Sequence, residues 1–140
     1  MSKIQEHWAK LTNEQWQHLA EQYLLEIREN EGKEYEEGTH KWGEIVVNLD
    51  FWSPPELLWK FILLAVSLAE TDEQLGIIAA GEIEHLLGRA GDDFIGLVEQ
   101  EAKVNPKFAR TLTGCYQFQM SDEVWKRVQK IQSAVEHKLL

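Results

Sequence analysis

The chain has 140 residues, a net charge of −10 and a single cysteine. That length suits one domain able to bury a core without staples. Cys115 alone excludes an internal disulfide and suits a reducing cytoplasm, and the opening Met-Ser-Lys-Ile-Gln-Glu-His-Trp has no apolar run of a secretory signal.

The charge is uneven. Residues 1–102 carry 7 Lys/Arg against 21 Asp/Glu, a net of −14, while residues 103–140 carry 7 against 3, a net of +4. Phosphate backbones attract basic surfaces, so nucleic-acid binding through the acidic part is disfavoured. An acidic face suits a protein partner with a basic surface, or plain solubility.

In chain order, residues 2–11 hold Ile4, Trp8 and Leu11 and suggest a short helical turn. Over 13–29, Trp16, Leu19, Ala20, Tyr23, Leu24 and Ile27 recur at helical spacing, and Thr12 with Gln15 makes a capping box. Residues 30–52 read as an irregular acidic region. Within it, 30–43 carries three glycines and four glutamates with no apolar periodicity, which predicts a loop. The β-branched stretch 44–49 could be extended or be drawn into a helix.

The longest apolar stretch comes next. From Leu57 to Ala69 only Lys60 and Ser67 are polar, which predicts a buried central helix over 54–70, with Ser53 as its cap and Pro54 at its first position. It is too short to span a bilayer, which needs about 20 apolar residues. Thr71 and Gln74 form a second capping box. A helix through Ala80, a kink or break at Gly81, a continuation over 82–90 and a stop at Gly91 are predicted after it.

Asp92 or Asp93 then caps a helix to about Val104. Asn105-Pro106 opens another, carrying Phe108, Ala109, Leu112, Cys115 and Tyr116 as a stripe. Residues 117–120 turn, and Ser121 starts a last helix with Val124, Trp125, Val128, Ile131 and Val135 inward. The fold class expected is all-α: one single-domain bundle of about six helices, its C-terminal half stacked as helical hairpins in the manner of a partial solenoid.

Reactive chemistry finds little support. Glu82-Ile-Glu-His85 has the spacing of a di-iron ligand pair, but no second such pair exists, and helical geometry turns His85 away from the Ile83/Leu86/Ala90 stripe. Glu14 and His18 likewise project away from their helix's apolar stripe. Cys115 lies on an apolar face with no base beside it, so it reads as a small hydrophobe. The five histidines are scattered, and no glycine-rich phosphate loop occurs. No catalytic residue, cofactor site or metal site is therefore assigned. Among six tryptophans, Trp16, Trp59 and Trp125 read as core; Trp8, Trp42 and Trp52 are candidates for exposed anchors, with Trp42 first.

The blocks Leu75-Gly-Ile-Ile-Ala-Ala-Gly-Glu-Ile-Glu-His-Leu-Leu87, Gly91-Asp-Asp-Phe-Ile95, Asn105-Pro-Lys-Phe108 and Asp122-Glu-Val-Trp-Lys-Arg-Val128 resemble a bacterial family of small helical proteins registered as a domain of unknown function. That family usually has Pro after Ala-Ala-Gly, where this chain has Glu82. The resemblance implies a helical fold and bacterial origin, and carries no catalytic residues.

The expected function is a non-enzymatic acidic protein-binding domain, in its most concrete form an immunity or inhibitor protein that masks a basic partner surface in the cytoplasm. Glu34, Glu36, Glu37, Trp42, Glu70, Asp72, Glu73, Glu82 and Glu84 are its candidate contact residues. Neither nucleic acid nor membrane is expected as a partner. Two alternatives are self-association, with the −14 part of one chain meeting the +4 part of another, and an enzyme whose site forms only in three dimensions around His40, His85, Asp92 or Asp93.

Overall fold

A computed structural model describes residues 2–139. It is all-helical: among those residues the chain forms α1 (Lys3–Ala9), α2 (Asn13–Glu29), α3 (Lys41–Trp52), α4 (Pro55–Leu68), α5 (Asp72–Ile78), a π-helical turn (Ala79–Ile83), α6 (Glu84–Val104), α7 (Pro106–Leu112) and α8 (Asp122–Ser133). α4 is the centre, packed against α2, α5, α6 and α7. Its Leu58, Phe61, Ile62, Ala65 and Val66 are buried. Each of the larger side chains among them contributes about 1.5–3 kcal/mol by leaving water. Phe61 meets Trp16 and Tyr23 of α2 at 6.2 and 6.1 Å between ring centroids, and Trp8 of α1 stacks on Trp16 at 5.8 Å. Trp8 is thus core and not an anchor.

The capping boxes form as the sequence predicts. Thr12 and Gln15 bond reciprocally at 2.9 and 3.1 Å, as do Thr71 and Gln74 at 3.0 and 3.1 Å. Gln74 also donates to the Leu24 carbonyl at 2.8 Å, tying α5 to α2. Asn105 caps α7, which has Pro106 at its first position, and Ser121 caps α8.

Five predicted boundaries move. Residues 30–52 are not irregular throughout: a helix begins at Lys41 and takes in 44–49. Val46, Leu49 and Asp50 face the interior at helical spacing, and the pattern is hidden because Asp50 is a charged residue in a core position. The cap of α4 shifts by one residue, to Pro54. Gly81 does not break the chain; the helix continues through the π-helical turn, whose extra residue re-aims the side chains beyond it. The stop predicted at Gly91 falls one residue earlier, at Ala90 (φ −145°, ψ 36°), a kink across which two helices join as α6; Gly91 lets α8 approach, since a Cβ there would lie 3.2 Å from Val124 Cγ2. Finally, α7 ends at Leu112. Thr113 Oγ1 bonds back to the Arg110 carbonyl, Cys115 stays buried beyond the helix, and Tyr116 turns out to solvent.

Candidate functional site

Four acidic side chains enter the interior, and each has its own solution. Glu26 of α2 reaches the start of α3. Its carboxylate accepts the backbone N–H of Trp42 at 2.9 Å and of Gly43 at 2.8 Å. The residue preceding α3, His40, supplies no side-chain cap, so an anion from another helix satisfies the orphan donors and meets the positive helix end. Asn30 pins the intervening loop by donating to the carbonyls of Glu26 and Thr39. Glu84 similarly accepts the Tyr116 N–H at 2.9 Å.

Asp50 of α3 and Glu82 of the π-helical turn are different. They are 2% and 1% exposed, and their carboxyls face each other. Asp50 Oδ1 and Glu82 Oε1 have no hydrogen-bond partner, nor does the buried hydroxyl of Ser53. Arg89, the nearest guanidinium, donates instead to the Asp50 and Ser53 carbonyls at 2.6 and 2.5 Å, closing the C-terminal end of α3. Burial pushes the Asp50 carboxyl up from its usual 3.8 to about 6, against the contact with Glu82 and the positive charge of His85 and Arg89. Burial, and then the charge of Asp50, hold Glu82 well above the carboxylate range. Tyr23, buried beside them, is raised by burial and by both acids. Two desolvated carboxyls in contact cannot both ionise cheaply, so the pair retains a proton.

The nine candidate contact residues separate into groups. Glu82 and Glu84 are interior and present no surface to a partner; this corrects the sequence reading, which took charge as a sign of exposure. Asp72 is held by Arg110 through two bonds at 2.7 and 2.8 Å, while Glu70 lies 3.9 Å from Arg28 and Glu73 is exposed. Glu34, Glu36 and Glu37 stand out in the loop before α3. Trp42 is half-buried, edge-on to His18 at 5.5 Å.

The residues named for an enzyme do not gather. His40 stacks on Tyr35 at the start of α3, whereas His85 lies by its far end, half-buried, with Nδ1 2.7 Å from the Gly81 carbonyl and not in open solvent. Asp92 and Asp93 line a shallow hollow with Arg89 and Gln119. Burial pushes the Cys115 thiol far up, with the charge of Glu84 adding to it, so it carries no thiolate. Among the described residues no group of three His, Cys, Asp or Glu is placed to hold a metal ion, and no helix is long and apolar enough to cross a membrane.

The sequence reading missed the outer face of α3. Val47, Phe51 and Trp52 are 51%, 51% and 58% exposed. Phe51 meets His85 edge-on at 4.7 Å, and His85 meets Phe118 at 5.3 Å, so an aromatic patch continues from α3 across α6 to the chain before α8. Gly88 makes room for that chain, because a Cβ there would lie 2.9 Å from the Phe118 carbonyl. Reading 41–52 as a helix would have revealed the face. A groove of about 480 Å³ runs along the other side of α3, between Trp8, Leu11, Leu19, Trp42 and Ile45.

No curated protein and no solved structure matches this chain. A family model does match, over residues 28–135, which takes in α3 to α8 with the whole aromatic patch and the Asp50–Glu82 pair. The chain therefore belongs to a family of unknown function (DUF6869).

Proposed function

We propose that this chain is a protein-binding domain with no catalytic chemistry of its own, which engages a partner through that partner's basic surface. An immunity or inhibitor protein is the most concrete form. The observation that carries the reading is the acidic loop, in which four exposed glutamates stand against the single Lys33. The ion pairs among the described residues are Arg28–Glu70, Arg110–Asp72 and Arg127–Glu99. None involves Glu31, Glu34, Glu36 or Glu37, all exposed in the loop that leads into α3. Such a field speeds encounter with a cationic surface and is screened by salt.

Self-association draws less support. Arg110 and Arg127, two of the seven cations of the basic segment, are already bound to acids of the same chain. The test is to identify the protein that co-purifies with the tagged chain from its source cells. Affinity is then measured at low and high salt for the native chain and for Glu34→Gln/Glu36→Gln/Glu37→Gln. The expected result is binding that weakens with salt and, by about tenfold, in the triple variant. Binding indifferent to both, or no protein partner at all, overturns the proposal.

A further inference from the structure

The acidic loop explains attraction but not where a partner seats. The structure offers a seat next to it. On α3, Glu44, Val47, Asn48 and Phe51 stand at i, i+3, i+4 and i+7 and are all exposed, so they form one stripe. Trp52 borders the stripe, and Phe51 hands it on through His85 to Phe118. The twelve residues of α3 make a ridge about 18 Å long. Other large exposed apolar residues, such as Ile4, Leu97 and Val104, sit on other elements. Aromatic side chains gathered at one place, with polar groups around them, are the usual composition of an interface core and rim.

The surrounding charge selects the occupant. Glu44 lies within the stripe, the loop with Glu34, Glu36 and Glu37 lies at the start of α3, and Asp92 and Asp93 line the hollow beside Gln119, next in the chain to Phe118. A second copy would carry a net −10 of its own, and two of the seven cations in its basic segment, Arg110 and Arg127, are already bound to acids. Anionic lipid headgroups would be repelled in the same way. We propose that the outer face of α3, continued by His85 and Phe118, seats an amphipathic helix of the partner protein, with its apolar side on Val47, Phe51, Trp52 and Phe118 and its Lys/Arg side toward Glu44 and the acidic loop. This rests on the protein-binding reading above and adds the seat and the form of the ligand.

The probe is a helical peptide of leucine and lysine, about four turns long. The comparison probe replaces its leucines by serine and keeps its charge. Each is titrated into the full-length, isotope-labelled chain, and amide shifts are mapped. The leucine–lysine peptide is expected to bind about tenfold more tightly than the serine–lysine peptide. Its shifts should centre on residues 44–52, 85 and 116–119. Phe51→Ser, and independently Val47→Ser, should each weaken it by about fivefold or more with an unchanged amide spectrum elsewhere, while Val104→Ser should not.

Shifts centred on the Trp8/Trp42 groove or on α8 overturn the proposal, as does equal weakening by Val104→Ser. A dimer of the free chain that Phe51→Ser dissolves also overturns it, since a second copy then covers the face. Loss of binding in the glutamine triple variant but not in Phe51→Ser or Val47→Ser leaves the acidic reading standing and removes this one. The reverse pattern removes the acidic reading and keeps the seat.

Discussion

The α2–α3 junction and the junction of α3 with the π-helical turn each bury a glutamate, Glu26 in the first and Glu82 in the second, and they treat it differently. Glu26 receives two backbone N–H groups and a helix terminus. Glu82 receives another carboxyl and a phenol. The first arrangement supplies hydrogen-bond donors to the carboxyl oxygens, while the second, deeper one faces an acid and favours a retained proton. The comparison teaches that a buried carboxyl needs either donors or a proton. It also shows α3 pinned from beneath at both ends, by Glu26 at its start and by Asp50, Glu82 and Arg89 toward its close, and tied to α1 where Asn48 accepts the Trp8 indole N–H at 3.1 Å, while Val47, Phe51 and Trp52 stay exposed.

The largest effect should come from removing the anion. Glu26→Ala leaves the Trp42 and Gly43 N–H groups without their acceptor and should cost about 4 kcal/mol in urea unfolding, with α3 the segment whose amide protection falls first. A loss within about 0.5 kcal/mol would mean that α3 starts without it.

The second effect concerns the proton. Asp50 and Glu82 both hold their protons to higher pH in the folded chain than in the unfolded one, so folding takes protons up. Their contribution is fully present below the unfolded range, near pH 4, and is lost as pH rises. Asp50 moves from 3.8 to about 6, a loss of about 3 kcal/mol across that window, and the Glu82 part continues above it. The exposed Asp72 and the half-buried Glu99, held low by their bonds to Arg110 and Arg127, work oppositely and lose their small share as pH falls. Unfolding free energy measured from pH 4 to 8 should thus decline, and Glu82→Gln, which keeps the neutral shape, should remove the Glu82 part of that decline and leave the Asp50 part. A native chain whose stability climbs steadily over this range would show that the pair is ionised.

Glu84→Ala should cost less, about 1.5 kcal/mol, because it strands the single N–H of Tyr116. Smallest of all is the triple loop variant at Glu34, Glu36 and Glu37. These side chains are exposed and unpaired, so thermal unfolding should move by no more than about 0.5 kcal/mol equivalent, even where binding suffers.

The elements with strong local signals were legible from the residues alone. Two capping boxes, Asn105-Pro106 and Ser121 placed helix starts, because a capping side chain reaches only its own first turn. The apolar run from Leu57 placed the centre of the bundle. Illegible were α3 and the fate of Glu82 and Glu84. α3 has no local cap: its anion comes from Glu26, fifteen residues before Lys41 in the chain. Its buried stripe contains an aspartate, so hydropathy spacing fails there. Glu82 stands at helical spacing with the buried Leu75, Ile78, Ala79 and Leu86, so it is a charged residue in a core position, and its charge misleads as that of Asp50 does in α3.

By itself, then, the amino-acid sequence determined the helical class, the central helix and the acidic balance, since each arises from residues close together in the chain or from composition. Only the tertiary structure decided which acids face water, where α3 begins, and that an aromatic face lies uncovered beside the acidic loop. Those outcomes depend on desolvation and on donors supplied by distant segments, and neither exists until the chain has folded.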